Sequence, residues 1–241
     1  TIIIVTLFVF ALIQMVPGDP VINYLGATAT EEQIAYYRHL YGFDQPVILQ
    51  YINWITGLFR GTMGQSISYQ SEIADIVLPR LGVTLSMVVP AFLIGTCTGI
   101  LLGIAAAKNR GKWLDSVISF FANIGVSMPM FWLGMMGMLV FALRLRLLPS
   151  SGYVPMERDF GDWLRHMVMP IIVMSLNVNA SFLRLTRFSM LEVMRQDYVT
   201  TARAKGVSRR AVTLRHQLRN SLIPIVTTMG SRLGTMVGST V

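Results

Sequence analysis

The chain has 241 residues, 53% of them hydrophobic and only 13% charged, and it carries a formal net charge of +8. So few charges in so apolar a chain exclude an ordinary soluble domain, and long uncharged runs indicate an α-helical membrane protein. The basic residues lie in short loops between those runs without a nucleic-acid-binding motif, so membrane topology explains them better than nucleic acid does. The single cysteine, Cys97, excludes an internal disulfide bond and a thiolate metal cluster.

Residues 1–18 are apolar and uncharged as far as the helix breaker Pro17-Gly18. A helix that crosses a bilayer needs about 20 residues, so we expect this segment to be the end of a first transmembrane helix that starts upstream.

Residues 19–80 are polar and more acidic than the other loops, which predicts an extracytoplasmic segment. Thr30 is the predicted N-cap of a helix that runs to Leu40, and Gln33 completes a capping box. Apolar residues recur on one face of Val47–Phe59, as in a short amphipathic helix. We expect this segment either to connect two spans or to contact a protein that delivers substrate.

Residues 81–241 are predicted to form the core transmembrane domain. The span between Arg80 and Lys108 contains three glycines at intervals of four residues: Gly95, Gly99 and Gly103. This spacing lets a neighbouring helix approach closely. The loop that follows, residues 108–113, is short and basic and is therefore predicted to be cytoplasmic.

The third predicted span covers residues 116–143 and should break or kink at Pro129. The polar residues 145–165 are predicted to form an irregular outer loop, with Trp163 at the membrane interface.

The fourth and fifth predicted spans, residues 166–183 and 220–241, bring the total to about five and carry polar side chains at membrane depth. The candidates for lining a translocation path are Asn177, Asn179, Ser181 and Arg232. Such groups are costly against lipid, so the three residues of the fourth span should face a water-filled path or form interhelical hydrogen bonds. Arg232 would line the path, pair with an acid that is not in this sequence, or reach the membrane surface from a re-entrant bend. The sequence leaves these roles open.

A basic segment near residues 188–219 separates these two spans. Its apolar residues recur at helical spacing, and Gly206 interrupts them, which predicts a helix, a glycine turn and a second helix at the cytoplasmic face. The positive-inside rule alone would account for its charge, because cytoplasmic loops collect Lys and Arg whatever they do.

The sequence contains no phosphate-binding loop, no GxSxG or HExxH motif and no acidic pair within an apolar run. We therefore expect neither an active site nor ATP hydrolysis by the chain itself. The lack of acidic residues in the spans also argues against a proton-coupled carrier. A channel or secondary carrier that works without ATP is the alternative from another class.

The segment Thr200-Thr201-Ala202-Arg203-Ala204-Lys205-Gly206 resembles the EAA loop of bacterial ABC importer permeases, with threonines in place of the family's Glu and first Ala. Three further stretches resemble the dipeptide, oligopeptide and nickel permease branch of that family, in the expected order: VPGDP at 16–20, GFDQP at 42–46 and GVSMPMFW at 125–132. The resemblance therefore extends over nearly the whole chain.

This resemblance implies an all-α polytopic protein of the bacterial inner membrane with the type I ABC importer transmembrane fold, and a sixth span beyond residue 241. Thr200–Gly206 would be the contact with ABC ATPase subunits, with Arg203 and Lys205 as adjacent basic contacts. The family also implies a second homologous permease and an extracytoplasmic substrate-binding protein. ATP and Mg²⁺ would bind to the ATPase subunits, and no cofactor to this chain. Peptides are the expected cargo, with nickel or another metal chelate as the alternative.

Overall fold

The structure is a computed structural model that describes residues 2–26, 28–208 and 211–240, and the side chains of residues 203, 239 and 240 lie outside this description. The chain divides into two compact units, Thr1–Gly82 and Val83–Val241. Helices dominate both units.

The described residues of the first unit form four short helices and a small β-hairpin that the sequence did not predict. The helices are α1 (Ile2–Gln14), α2 (Pro20–Leu25), α3 (Glu31–Leu40) and α4 (Val47–Phe59). In the hairpin, strands β1 (Gln65–Ser66) and β2 (Ser71–Glu72) pair antiparallel, with Gln65 opposite Glu72.

Side-chain caps fix the starts of α2 and α3. The predicted capping box of α3 is confirmed: the Gln33 N–H donates to Thr30 Oγ1 at 3.3 Å, and the Thr30 N–H donates to Gln33 Oε1 at 3.1 Å. The Asp19 carboxylate caps α2 by accepting from the Val21 N–H at 2.8 Å, and it also accepts from the Arg38 guanidinium on α3. Burial raises the pKa of Asp19, but the Arg38 and backbone hydrogen bonds outweigh it, so the pKa lies below its usual value.

Helix α5 (Ile73–Lys108) leads into the second unit. There α6 (Trp113–Ser127) is followed by α7 (Met130–Gly137) with a π-helical extension, and then by the long helix α8 (Phe160–Val193). Next come α9 (Asp197–Ala204), a π-helical segment (Val212–Leu218) and α10 (Arg219–Thr240). Helices α6, α7 and α10 all pack against α8, which is therefore the centre of this unit.

By length and apolar composition, α5 and α8 can each cross a membrane, and α6 with α7 could form a third span that is broken in its middle. The two halves of this broken span meet at an angle of 98°, at the position where Pro129 predicts a break. The first and fifth predicted spans do not meet the same criteria of length and apolar composition. Helix α1 has only 13 described residues, and α10 is less apolar.

The helices extend beyond the uncharged runs from which the spans were predicted. Helix α8 begins at Phe160 and ends at Val193, so the prediction of an irregular loop up to residue 165 is wrong for its last six residues. Trp163, expected at the membrane interface, instead packs inside the helix bundle with 7% of its surface exposed. A charged residue ends an apolar run, but it does not end a helix, since Arg is a good helix former.

The predicted close approach along the α5 glycines is confirmed. A Cβ atom placed on Gly95, Gly99 or Gly103 would lie 2.6–2.7 Å from a backbone carbonyl oxygen of α8. Only glycine allows the two backbones to come this near. Apolar side chains fill the space beside this contact, among them Phe92 of α5 and Phe182 of α8, whose ring centroids are 6.0 Å apart.

Candidate functional site

The predicted helix, glycine turn and helix are present between residues 197 and 218, and we call this segment the α9 hairpin. Gly206 ends α9 with a φ of +78°, a conformation that residues with a Cβ adopt at a cost. The Val207 N–H donates to the Ala202 carbonyl at 3.2 Å across this turn, as in a Schellman cap.

Apolar contacts hold the α9 hairpin together on its inner side. Val199 and Ala202 of α9 pack against Val212 of the π-helical segment, and all three are buried. A hydrogen bond of 2.9 Å from Asn220 Nδ2 to the Tyr198 hydroxyl ties the hairpin to α10. The position of α9 is therefore fixed by the same chain, before any partner binds.

The outer side of the α9 hairpin is exposed. It carries most of the residues that the sequence proposes as the partner contact, namely Thr200, Thr201, Ala204, Lys205 and Gly206. Ala202 instead points inward, where it packs against the other buried residues of the α9 hairpin. The side chain of Arg203 lies outside the described residues.

Sequence reasoning missed a salt bridge that joins the start of α6 to α8. Arg187 donates Nε to Asp115 Oδ1 at 2.7 Å and Nη2 to Asp115 Oδ2 at 2.8 Å. The Gly111 N–H and the Ser119 hydroxyl also donate to this carboxylate, which is almost fully buried. Such a bidentate pair fixes orientation as well as distance. Asp115 is an acid at the edge of an apolar run, but nothing in the sequence points to a partner so far along the chain.

The polar residues of α8 point to two different neighbours. Asn179 donates to Thr98 Oγ1 of α5 at 2.6 Å, whereas Ser181 accepts from Arg232 Nη2 of α10 at 3.1 Å. Residues two positions apart in a helix lie about 200° apart around its axis, which explains the two directions. The interhelical hydrogen bonds that the sequence left as one of two possibilities are therefore present for Asn179 and Ser181, and Arg232 is the partner of Ser181.

Asn179 also lines a cavity of about 520 Å³ between α5, α6, α7 and α8. The walls are otherwise mostly apolar, with Thr98 beside Asn179 as a further polar group. Among the described residues that line this cavity, Asn177, Ser181 and Arg232 do not appear. The four predicted path residues thus separate into one at the cavity, a pair between α8 and α10, and Asn177, which is half-buried on α8.

Two known protein families match the chain. The family described as binding-protein-dependent transport system inner membrane component matches residues 99–241. The N-terminal family of the same membrane components matches residues 1–88.

Individual relatives cover nearly the whole chain. A putative peptide transport system permease protein of Brucella abortus is 37% identical over 99% of this chain and 76% of its own length. A probable peptide ABC transporter permease protein of Sinorhizobium fredii is 34% identical over 98% of this chain and 76% of its own. The di/tripeptide transport system permease protein DppB of Pseudomonas aeruginosa is 35% identical over 98% of this chain and 77% of its own.

The chain therefore belongs to the inner-membrane components of binding-protein-dependent transport systems. It is a multi-pass inner-membrane permease with the type I ABC importer transmembrane fold, as the sequence predicts.

Proposed function

We propose that this permease carries dipeptides or oligopeptides through the inner membrane as one subunit of an ATP-driven importer. The relatives named above are described as peptide permeases, which favours peptides over nickel or another metal chelate as cargo. The observation that supports coupling to an ATPase is the α9 hairpin, which packs against its own chain on the inner side and is exposed on the outer side.

In this proposal the exposed side of the α9 hairpin docks in a cleft of an ATPase subunit. Thr200, Thr201 and Ala204 offer small side chains that allow close contact, and Lys205 adds a positive charge at the turn. Two such ATPase subunits would bind ATP and Mg²⁺, and their closure would displace the hairpin. A second, homologous permease beside this one in the lipid bilayer and a substrate-binding protein on the extracytoplasmic side would complete the complex.

Displacement of the α9 hairpin would be transmitted to the transport path through helix α8. It continues without interruption from Asn179 at the cavity to Val193, just before α9, a distance of about 21 Å at 1.5 Å per residue. The Arg187–Asp115 salt bridge would make α6 follow α8, so the cavity between them would change shape when the hairpin moves. Packed helices shift between discrete arrangements, which suits a switch between inward and outward access.

The experiment that tests the proposal is co-purification of the full-length protein from membranes, with and without the substitution Gly206→Ala. No atom lies within 4 Å of the added Cβ, so the substitution changes the turn and not the packing. Non-glycine residues pay roughly 1–2 kcal/mol in this conformation, so the alanine variant should hold the turn in its docking conformation less often. We therefore expect up to about tenfold weaker recovery of ATPase subunits or of peptide-stimulated ATP hydrolysis.

Gly61→Ala is the matched control, because Gly61 has a φ of +84°, an equally open environment and a place in the other unit. Gentle extraction that recovers no ATPase with the wild type would favour the channel or carrier alternative. Equal recovery of ATPase subunits with Gly206→Ala and with the wild type would show that the coupling contact does not depend on this turn.

A further inference from the structure

The apolar face of α4 points away from the rest of its unit. Ile48, Ile52 and Phe59 lie on one side of this helix and are 74%, 46% and 89% exposed. No charged residue occurs anywhere between Val47 and Phe59. A soluble segment would bury such a face or interrupt it with charges.

The polar face of α4 is already hydrogen-bonded to adjacent residues of the same chain. Gln50 donates to the Gln45 carbonyl at 2.8 Å, and Asn53 donates to Gln45 Oε1 at 2.8 Å. On the same side, the Thr62 N–H donates to the Gly57 carbonyl at 2.9 Å. These bonds fix the rotation of α4, so its apolar side must face outward.

Contacts with α1 set the level of α4 relative to the membrane. Gln14, at the end of α1, donates to Gln50 Oε1 at 3.3 Å. The Tyr51 hydroxyl lies 2.9 Å from Thr6 Oγ1, and its ring packs edge-on against Phe10 at a centroid distance of 5.3 Å. These contacts place the start of α4 beside the last turns of α1, which is the predicted first transmembrane segment. Tyr51 and Trp54 are the residue types that concentrate at this level.

We propose that α4 is an interfacial helix that lies on the outer surface of the bilayer and inserts Ile48, Ile52 and Phe59 among the lipid acyl chains. An uncharged amphipathic face at the level of the headgroups binds lipid through its apolar area, without needing a protein partner. The apolar surface of α1, whose Ile3 and Leu7 are 71% and 50% exposed, would continue the same lipid contact. Helix α4 would then be the part of the predicted extracytoplasmic segment, residues 19–80, that contacts the membrane.

Helix α3 provides the internal comparison. It is equally exposed, but its first turn carries Glu31 and Glu32 and its last turn carries Arg38, so it should lie in water. Tyr36 on α3 is 64% exposed, close to the 74% of Ile48, and is therefore a matched control position.

The test uses the full-length protein with Cys97→Ser and a single new cysteine from Ile48→Cys, Phe59→Cys or Tyr36→Cys. Each cysteine is labelled with an environment-sensitive nitrobenzoxadiazole dye, and the protein is reconstituted in phosphatidylcholine–phosphatidylglycerol vesicles. Acyl-chain-brominated lipid and aqueous iodide serve as quenchers. We expect the dye at positions 48 and 59 to be quenched at least about twofold more by brominated lipid, and twofold less by iodide, than the dye at position 36.

Two results would overturn the proposal. Quenching of position 48 by iodide to the same extent as position 36 would put α4 in water, free to contact a delivery protein. Protection of position 48 from both quenchers would mean that protein covers this face. Because the measurement needs neither ATP nor an ATPase subunit, it stands or falls separately from the proposed transport function.

Discussion

Two sets of three glycines at intervals of four residues occur in this chain, one in α5 and one in α10. In α5 the glycines press against the backbone of α8, as described above for Gly99. In α10, Gly230, Gly234 and Gly238 have no atom within 4 Å of an added Cβ. The same residue spacing therefore has two different consequences for stability.

This difference predicts opposite effects of the same substitution at Gly99 and Gly234. Alanine favours a helix over glycine by about 1 kcal/mol, whereas overpacking costs typically about 1–3 kcal/mol. At Gly99 the new Cβ would lie 2.7 Å from the Asn179 carbonyl oxygen, so Gly99→Ala should lower the free energy of unfolding by roughly 1 kcal/mol. Gly234→Ala should leave it unchanged or raise it slightly. Denaturant unfolding of the isolated protein in detergent measures both, and equal shifts would contradict the α5–α8 packing.

The Asp19–Arg38 pair predicts a pH dependence for the first unit. Because the pKa of Asp19 is lowered in the folded protein, the pair stabilises the fold above the ordinary value of about 4, and this contribution is lost as the pH falls through the lowered pKa. Asp19→Asn should therefore lower the thermal midpoint at pH 7, and the difference from wild type should shrink progressively as the pH falls below about 4. The hydrogen bond from His39 also lowers the pKa of Asp44, so some acid sensitivity should persist in the variant. A midpoint difference that does not change with pH would rule out this role for Asp19.

At the scale of elements, α8 connects the parts of the protein that the proposal needs. It contacts α5 through the glycines, α6 through Arg187 and α10 through Ser181. Its 34 residues run from beyond the cavity to Val193, which packs against the buried residues of the α9 hairpin. A change at the hairpin can therefore reach the cavity through this contact and a single helix.

The salt bridge between α6 and α8 predicts that Arg187→Lys impairs transport. Lysine keeps the charge but loses the planar fork that makes two parallel hydrogen bonds. Peptide uptake by the assembled complex in proteoliposomes should fall about tenfold, which corresponds to roughly 1.4 kcal/mol, with a smaller effect on ATP hydrolysis. Arg184→Lys is the matched control, since Arg184 is exposed on the same helix.

A charge exchange separates coupling from simple folding. The double variant Asp115→Arg with Arg187→Asp restores opposite charges across the α6–α8 contact, and uptake per ATP should recover at least in part. If uptake and ATP hydrolysis instead fall together in Arg187→Lys, the pair only stabilises the fold.

At the scale of the whole molecule, charge distribution predicts which loops face the cytoplasm. With Cys97→Ser as background, Tyr36→Cys should react with a membrane-impermeant maleimide in intact cells whose outer membrane is permeabilised. Lys205→Cys, exposed on the α9 hairpin, should react only after the inner membrane is opened. Labelling of position 205 in sealed cells would show that the α9 hairpin faces the outside, where it could not contact an ATPase.

The sequence by itself determined the class of the protein and much of its local structure. Low charge in long apolar runs predicted a helical membrane protein, and the Thr30 capping box and the Gly206 turn were both predicted from residues a few positions apart. These signals are local, because caps, glycine turns and helical periodicity depend on neighbours within one or two turns. The family resemblance likewise depended on short motifs in a fixed order.

Only the tertiary structure decided which surfaces meet. It paired Arg187 with Asp115, turned Ala202 inward, buried one set of glycines while leaving the other open, and left the apolar face of α4 exposed. Each outcome depends on which distant segment arrives beside a residue. That arrangement is set by how all the helices pack together, and residue types and spacing do not encode it locally.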